Sequence, residues 1–214
     1  MRTIELHKSV TESNDRDAQD LRQELKAKNV VLINLMSSPG SGKTTLLSRT
    51  VKDLKDKINF GVIEADIASD VDALTMENNG ARSIQVHTDG MCHMDAGMTR
   101  RGIEELGVEG LDIAVLENVG NLICPAEFDT GAHVNVMILS VPEGDDKPLK
   151  YPLMFSTSDV LVITKYDTKS YFTFDLDKCI DEVKRLNPNI KIFPVSAKTG
   201  EGMDAWEEYL TNLK

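Results

Sequence analysis

Residues 30–36, VVLINLM, form a run that is apolar apart from Asn34, is too short for a buried helix and is cut off by SSPGSGKT. A run of this kind reads as a strand buried on both faces, which requires a sheet covered by helices on both sides. The pattern recurs at 60–65 (FGVIEA), 83–87 (SIQVH), 111–117 (LDIAVLE), 133–141 (HVNVMILSV), 159–164 (DVLVIT) and 190–195 (IKIFPV). Helix-like stretches alternate with these runs, among them KTTLLSRTVKDLKDK, ASDVDALTMENN, DAGMTRRGIEEL, LDKCIDEVKRL and MDAWEEYLTNL. Strands alternating with helices predict a three-layer α/β fold: a mostly parallel sheet of about seven strands with helices on both faces.

At 214 residues the chain suits one such domain, and no Pro/Gly/Ser linker divides it. Residues 1–28 are polar, with Val10, Ala18, Leu21 and Leu25 at helical spacing and Ser9 three before Glu12 as a capping box. They read as a peripheral N-terminal helix, ahead of a main domain over 29–214. With 41% hydrophobic and 28% charged residues the chain is globular, not disordered. Its net charge of −11 opposes nucleic-acid binding, which needs a basic field. Three cysteines are an odd number and too few for a disulfide scaffold. The absence of an apolar stretch near the roughly 18 residues of a membrane span, and of a signal-peptide core, leads to the expectation of a cytoplasmic protein without a membrane partner.

The segment after the first strand matches G-x-x-x-x-G-K-[ST], except that Ser37 stands at the first glycine position. Gly40 and Gly42 free the backbone so that successive N–H groups converge on phosphate oxygens, and the helix N-terminus adds positive potential. This predicts a P-loop fold in which Pro39, Gly40, Ser41, Gly42, Lys43, Thr44 and Thr45 bind nucleotide. Lys43 would reach the β and γ phosphates, and Thr44 would offer its hydroxyl to Mg²⁺. Asp66 after the second strand and Glu117 at the end of the fourth are the candidate Mg²⁺ or water-positioning carboxylates, catalytic together with Lys43. Glu64 and Asp70 read instead as solvated loop charges or a helix cap.

Thr164-Lys165-Tyr166-Asp167 and Ser196-Ala197-Lys198 follow the last two strands. They resemble the NKxD and SAK guanine-recognition motifs of GTPases, with Thr for Asn. A carboxylate at Asp167 accepts both the N1–H and the exocyclic amine of guanine, a donor pair that adenine lacks. Lys165 would lie along the base. Since no arginine finger or water-orienting glutamine is legible, slow intrinsic turnover is expected.

HTDGMCHMDAGM places Cys92 beside His93 after the Asp89-Gly90 turn, and Cys124 follows Glu117 by a few residues. Adjacent residues serve one metal only from an irregular turn. Two thiolates and an imidazole suit Zn²⁺ or Ni²⁺, with water or a second copy of the chain completing the set. A helix N-terminus just beyond Cys92 would lower its thiol pKa. Cys179, at helical spacing from Val183, reads as a core residue.

SSPGSGKT, EADI, GMCHMDA, ENVGNLICPAEFDTG, EGDDKPLKYP and VSAKTGEGMDAW together resemble the HypB family of hydrogenase-maturation nickel-incorporation GTPases over about residues 30–214. The resemblance implies a P-loop GTPase of the SIMIBI class, a homodimer formed with GTP, and a Ni²⁺/Zn²⁺ site on Cys92, His93 and Cys124. It also implies partners among the maturation proteins and the hydrogenase large subunit. Thr164 departs from the usual Asn of NKxD, and the N-terminus carries neither the cysteine-rich motif nor the histidine-rich tract of some members. The competing readings are a urease-type nickel-insertion GTPase, whose metal motif has Cys-Pro-His where this chain has Cys92-His93, an ATP-dependent small-molecule kinase, and a non-enzymatic metal-binding scaffold.

Overall fold

A computed structural model describes residues 6–66, 71–88 and 90–214, with the side chains of all of these except 6–11, 66 and 71–73. The strands are β1 (Val31–Ser37), β2 (Phe60–Asp66), β3 (Arg82–His87), β4 (Ile113–Glu117), β5 (Val134–Ser140), β6 (Val160–Thr164) and β7 (Lys191–Pro194). They form one sheet in the order β3-β2-β4-β1-β5-β6-β7. Each pairing between neighbours is parallel, so the expected mostly parallel sheet is wholly parallel. All strands therefore end on one side, where an open parallel sheet gathers ligands, and β1 delivers its loop to the middle of that side.

The helices are α1 (Leu6–Ala27), α2 (Lys43–Leu54), α3 (Val71–Asn79), α4 (Ala96–Leu106), α5 (Cys124–Glu127), α6 (Lys147–Lys150), α7 (Pro152–Ser156), α8 (Leu176–Leu186) and α9 (Met203–Thr211). Alternation along the strands sorts side chains onto two faces. Ile33, Val62, Val115 and Val136 pack with Leu46, Val51, Met76 and Trp206 of α2, α3 and α9. On the opposite face, Leu32, Ile63, Ala114 and Leu116 meet Leu21 and Leu25 of α1 and Ile103 and Leu106 of α4. Met137, Leu139, Leu161 and Ile163 meet Phe155 of α7 and Cys179 and Val183 of α8. Cys179 is fully buried, and burial pushes its thiol pKa up to about 12, as befits a core residue. Among the described residues, no helix is long and apolar enough to cross a membrane.

The short helices α5, α6 and α7 are absent from the sequence reading. With four or five residues each they show no periodicity, and each has a proline in its first turn, where a fixed φ and a missing N–H cost nothing. The proposed Ser9–Glu12 capping box and the Asp89 half of the Asp-Gly turn fall outside the described residues.

Polar contacts fasten α1 to the sheet. Arg22 donates to both carboxylate oxygens of Asp129, at 2.7 and 2.8 Å, and to the carbonyl of Ala132. His133 accepts from the Leu32 N–H at Nδ1, so its Nε2 carries the proton and faces the Arg22 carbonyl at 3.1 Å. Burial lowers the His133 pKa from its ordinary 6.5, opposed by the hydrogen bond to the Arg22 carbonyl and reinforced by the charges of Arg22 and Lys26. Because the folded state then binds fewer protons than the unfolded one, its stability is full above pH 6.5 and falls as the pH drops toward the lowered folded pKa. Chemical unfolding at pH 8 and pH 5.5 should show this loss, and a non-titrating His133→Gln variant should show a smaller one.

Candidate nucleotide and metal site

The loop between β1 and α2 takes its shape from two glycines in the left-handed region, Gly40 at φ 75° and Gly42 at φ 94°. Pro39, Gly40 and Thr45 are exposed, whereas Ser41 is buried and Lys43 and Thr44 are partly buried. Helix α2 starts at Lys43, so its free N–H groups face the loop. The Thr44 hydroxyl donates to Glu117 Oε1 at 2.8 Å, and Lys43 Nζ lies 3.9 Å from the same oxygen. Both predicted phosphate-side residues thus meet the predicted carboxylate.

Glu117 pairs in register with Glu64 on β2. Glu64 is only 3% exposed, which corrects its reading as a solvated loop charge. It is the penultimate β2 residue seen in the sequence run, and parallel pairing turns it inward beside Glu117. Asp66 ends β2 in register with His87, but its side chain lies outside the described set, as does Asp70 entirely.

The segments proposed to read the base are bonded to the phosphate loop. The Thr164 hydroxyl donates to the Ser41 carbonyl at 2.6 Å, and Lys165 Nζ donates to the Gly40 carbonyl at 2.7 Å. Lys165 adopts φ 56°, a left-handed conformation uncommon for a residue with a Cβ, and its stem passes over Gly42. Asp167 follows in a 3₁₀ turn, and the Tyr166 N–H donates to the Val195 carbonyl, joining this turn to Ser196-Ala197-Lys198. Ser196 is buried with its hydroxyl accepting from the Thr199 N–H, Ala197 accepts from Arg49 Nη1, and Lys198 is exposed.

Cys92, His93 and Cys124 converge, with their ligand atoms all within 4.8 Å of one another. Cys92 Sγ lies 2.8 Å from Cys124 Sγ and 3.7 Å from His93 Nδ1. Donors placed roughly 2.0–2.3 Å from a common ion fit inside that spread, and the pair of thiols with one imidazole is a donor set for Zn²⁺ or Ni²⁺ with a position left open. The expected lowering of the Cys92 pKa does not hold. Helix α4 starts only at Ala96 and is capped by Asp95, so its N-terminus is spent elsewhere. The Cys92 pKa is instead raised, first by the hydrogen bond to Cys124 and then by burial. Burial lowers that of His93, whose ring stacks on Phe128 at 4.0 Å.

Four further residues join the two sites. Asn118, next to Glu117, accepts from the Met94 N–H at 3.1 Å and donates to Asn34, which donates to Asn135. Gly120 lies against Pro39, where a Cβ would come within 3.1–3.3 Å of that proline. Asn121 donates to the Cys92 carbonyl, and Phe128 forms the floor under His93. Gly120, three residues past Glu117, was the legible signal among these. The others depend on contacts across the sheet.

A glycine-bent loop between a central parallel strand and a helix, with a lysine and a threonine facing a strand-end carboxylate, defines a P-loop nucleotide-binding domain. The family model for the CobW/HypB/UreG nucleotide-binding domain matches residues 30–194. Hydrogenase maturation factor HypB of Rhizobium leguminosarum bv. viciae is 44% identical over 209 residues, spanning 98% of this chain and 70% of that protein. Hydrogenase/urease maturation factor HypB of Helicobacter hepaticus is 39% identical over 213 residues, spanning 98% and 87%. The crystal structure of HypB from Helicobacter pylori in complex with nickel superposes with a TM-score of 0.88 at 36% identity, covering 94% of each chain. The chain belongs to the HypB family.

Replacing Thr164 with the near-isosteric Val removes the donor to Ser41 and leaves a buried carbonyl unpaired. Stability should fall by about 1–3 kcal/mol in urea titration, and nucleotide affinity should fall with it as the loop loosens.

Proposed function

We infer that the chain is a GTP-hydrolysing factor that binds nickel and passes it on during maturation of a nickel-iron hydrogenase. The observation that carries this reading is the bonding of the Thr164-Lys165 turn to the phosphate loop, with Cys124 of the Cys92/His93/Cys124 cluster only seven residues along the chain from Glu117. The names of the Rhizobium and Helicobacter relatives and the nickel complex of the Helicobacter pylori protein support it.

In this reading the loop N–H groups and Lys43 hold the β and γ phosphates, and Asp167 accepts from guanine, flanked by Lys165 and the 196–198 loop. Thr44, Glu117 and Asp66 would hold Mg²⁺, which when bound offsets the charge that develops on the phosphates. Glu117 changes partner as nucleotide enters, leaving the Thr44 hydroxyl free to turn toward the phosphates. Water attacks the γ phosphorus, the bond to the β–γ bridging oxygen breaks, and GDP and phosphate leave, with slow intrinsic turnover. Asn118, Gly120 and Asn121 carry the displacement of this segment to the metal-bearing turn. Nickel, or zinc in its place, is held by the two thiolates and the imidazole.

The GTP form pairs two chains. Tyr171 and Phe172, at 83% and 45% exposure just beyond the base turn, and Ile123 beside Cys124 supply apolar surface for that contact. Partners are the other maturation proteins and the hydrogenase large subunit, within the cytoplasm. A urease-type target is the second reading, favoured by the name of the Helicobacter hepaticus relative.

Fluorescent GTP should bind far more tightly than the ATP analogue, and Asp167→Ala should abolish the preference. Equal binding of the two by the unaltered chain would sink the guanine assignment. Cys124→Ala should weaken Ni²⁺ and Zn²⁺ binding while leaving nucleotide binding close to unaltered. Metal affinity and molecular mass, measured without nucleotide, with GDP and with a non-hydrolysable GTP analogue, should change together. Values independent of nucleotide would remove the coupling but leave the GTPase reading standing.

A further inference from the structure

The metal cluster is assembled from two segments that meet only through the fold. Cys92 and His93 lie in the turn leading into α4, whereas Cys124 opens α5, whose chain continues through Phe128 and Asp129 to β5. A single side chain from a third element touches both. Asn14 of α1 accepts from the Ala96 N–H, at the first residue of α4, and donates to the Asp129 carbonyl, each at 2.9 Å. Both backbone atoms belong to the chain around His93: Ala96 is three residues beyond it, and Asp129 adjoins Phe128, on which its ring stacks. Asn14 uses its amide oxygen toward one segment and its amide nitrogen toward the other, so the spacing between them is set by one rigid planar group.

Helix α1 is a firm base for that group. Ala18, Leu21 and Leu25 are at most 1% exposed, and Gly131 approaches so closely that an added Cβ would meet Leu21 at 2.9 Å and the Ala18 carbonyl at 3.1 Å. The paired bonds from Arg22 hold Asp129 from its side chain while Asn14 holds its carbonyl. Asn14 also satisfies one of the free N–H groups at the start of α4, where Asp95 already accepts from Met98.

We propose that Asn14 is a positioning residue of the metal site, setting the His93 ring against the two thiols from the N-terminal helix. The proposal rests on reading Cys92, His93 and Cys124 as the metal ligands. Outer groups that orient metal ligands typically account for roughly 10–100-fold in affinity, and Asn14 acts on His93 through the main chain three residues beyond it and through the main chain next to Phe128, on which its ring stacks.

The full chain is titrated with Ni²⁺ against a competing chelator, and the thiolate-to-nickel charge-transfer absorption is recorded alongside. Asn14→Ala should weaken Ni²⁺ binding about tenfold and alter the charge-transfer band. Asn14→Asp, which keeps an acceptor for Ala96 but cannot donate to Asp129, should fall between Asn14→Ala and the unaltered chain, and it carries the same test should Asn14→Ala fail to fold. Arg100→Ala removes the Arg100–Glu24 ion pair between α4 and α1 but none of the bonds of Asn14, and should leave affinity and band unchanged. In a His93→Ala background, Asn14→Ala should cost little more, because its effect passes through the imidazole. The proposal is overturned by unchanged Ni²⁺ affinity in both Asn14 variants, by an equal loss in Arg100→Ala, or by full additivity with His93→Ala. An unaltered chain that binds no Ni²⁺ with a thiolate signature would overturn the ligand reading itself, a separate result.

Discussion

Three amides in a row, the buried Asn118 and Asn34 and the half-buried Asn135, tie together the end of β4, the middle of β1 and the start of β5. Asn34 and Asn118 are each 1% exposed, so their polar atoms must find partners inside the protein. They do so by bonding to one another across the strands, and the last acceptor, Asn118 Oδ1, takes the N–H groups of Met94 and Val119. That oxygen therefore fixes two things at once: the direction in which the chain leaves β4 and the position of the residue next to His93. Slipping any of these strands would break the row and leave amides unsatisfied in a low-dielectric interior, a cost that packing alone does not repay.

The two functional regions follow from this constraint. On one side of Asn118 stands Glu117, bonded to Thr44 and close to Lys43. On the other runs the short stretch to Cys124, crowded against Pro39 at Gly120 and bonded to Cys92 through Asn121. The phosphate loop is held from its far side by Thr164 and Lys165, which bond to adjacent carbonyls. Anything that repositions Glu117 thus acts on a segment that also carries Cys124, a proposed metal ligand. Such a link gives a concrete form to the proposed coupling between nucleotide and metal, which by thermodynamic reciprocity would run in both directions.

Helix α1 enters the same network from outside the sheet. Its apolar side is buried against β1 and α4, and its polar residues reach Ala96, Asp129 and Ala132. Its position against β1 also depends on His133, a neutral imidazole that bridges the Leu32 N–H and the Arg22 carbonyl. In sequence this helix looks detachable, because its apolar positions are few. Their near-complete burial and the paired bonds of Asn14 make it part of the surroundings of the Cys92/His93/Cys124 cluster.

The sequence by itself determined the succession of strands and longer helices along the chain and the phosphate loop. Continuous apolar runs, glycine spacing and amphipathic periods are local signals that need no knowledge of what lies opposite. The core role of Cys179 was legible for the same reason, from its spacing on an amphipathic helix. Only the tertiary structure decided which carboxylates are buried together, since Glu64 and Glu117 become neighbours through β2–β4 register. It also decided that the helix after Cys92 starts too late to act on that thiol, because Asp95 takes the capping position. Asn14, Asn118 and Phe128 were invisible for a further reason. An amide or an aromatic ring carries no motif, and its role comes from the backbone atoms or ring that it meets 24 to 115 residues away in the chain.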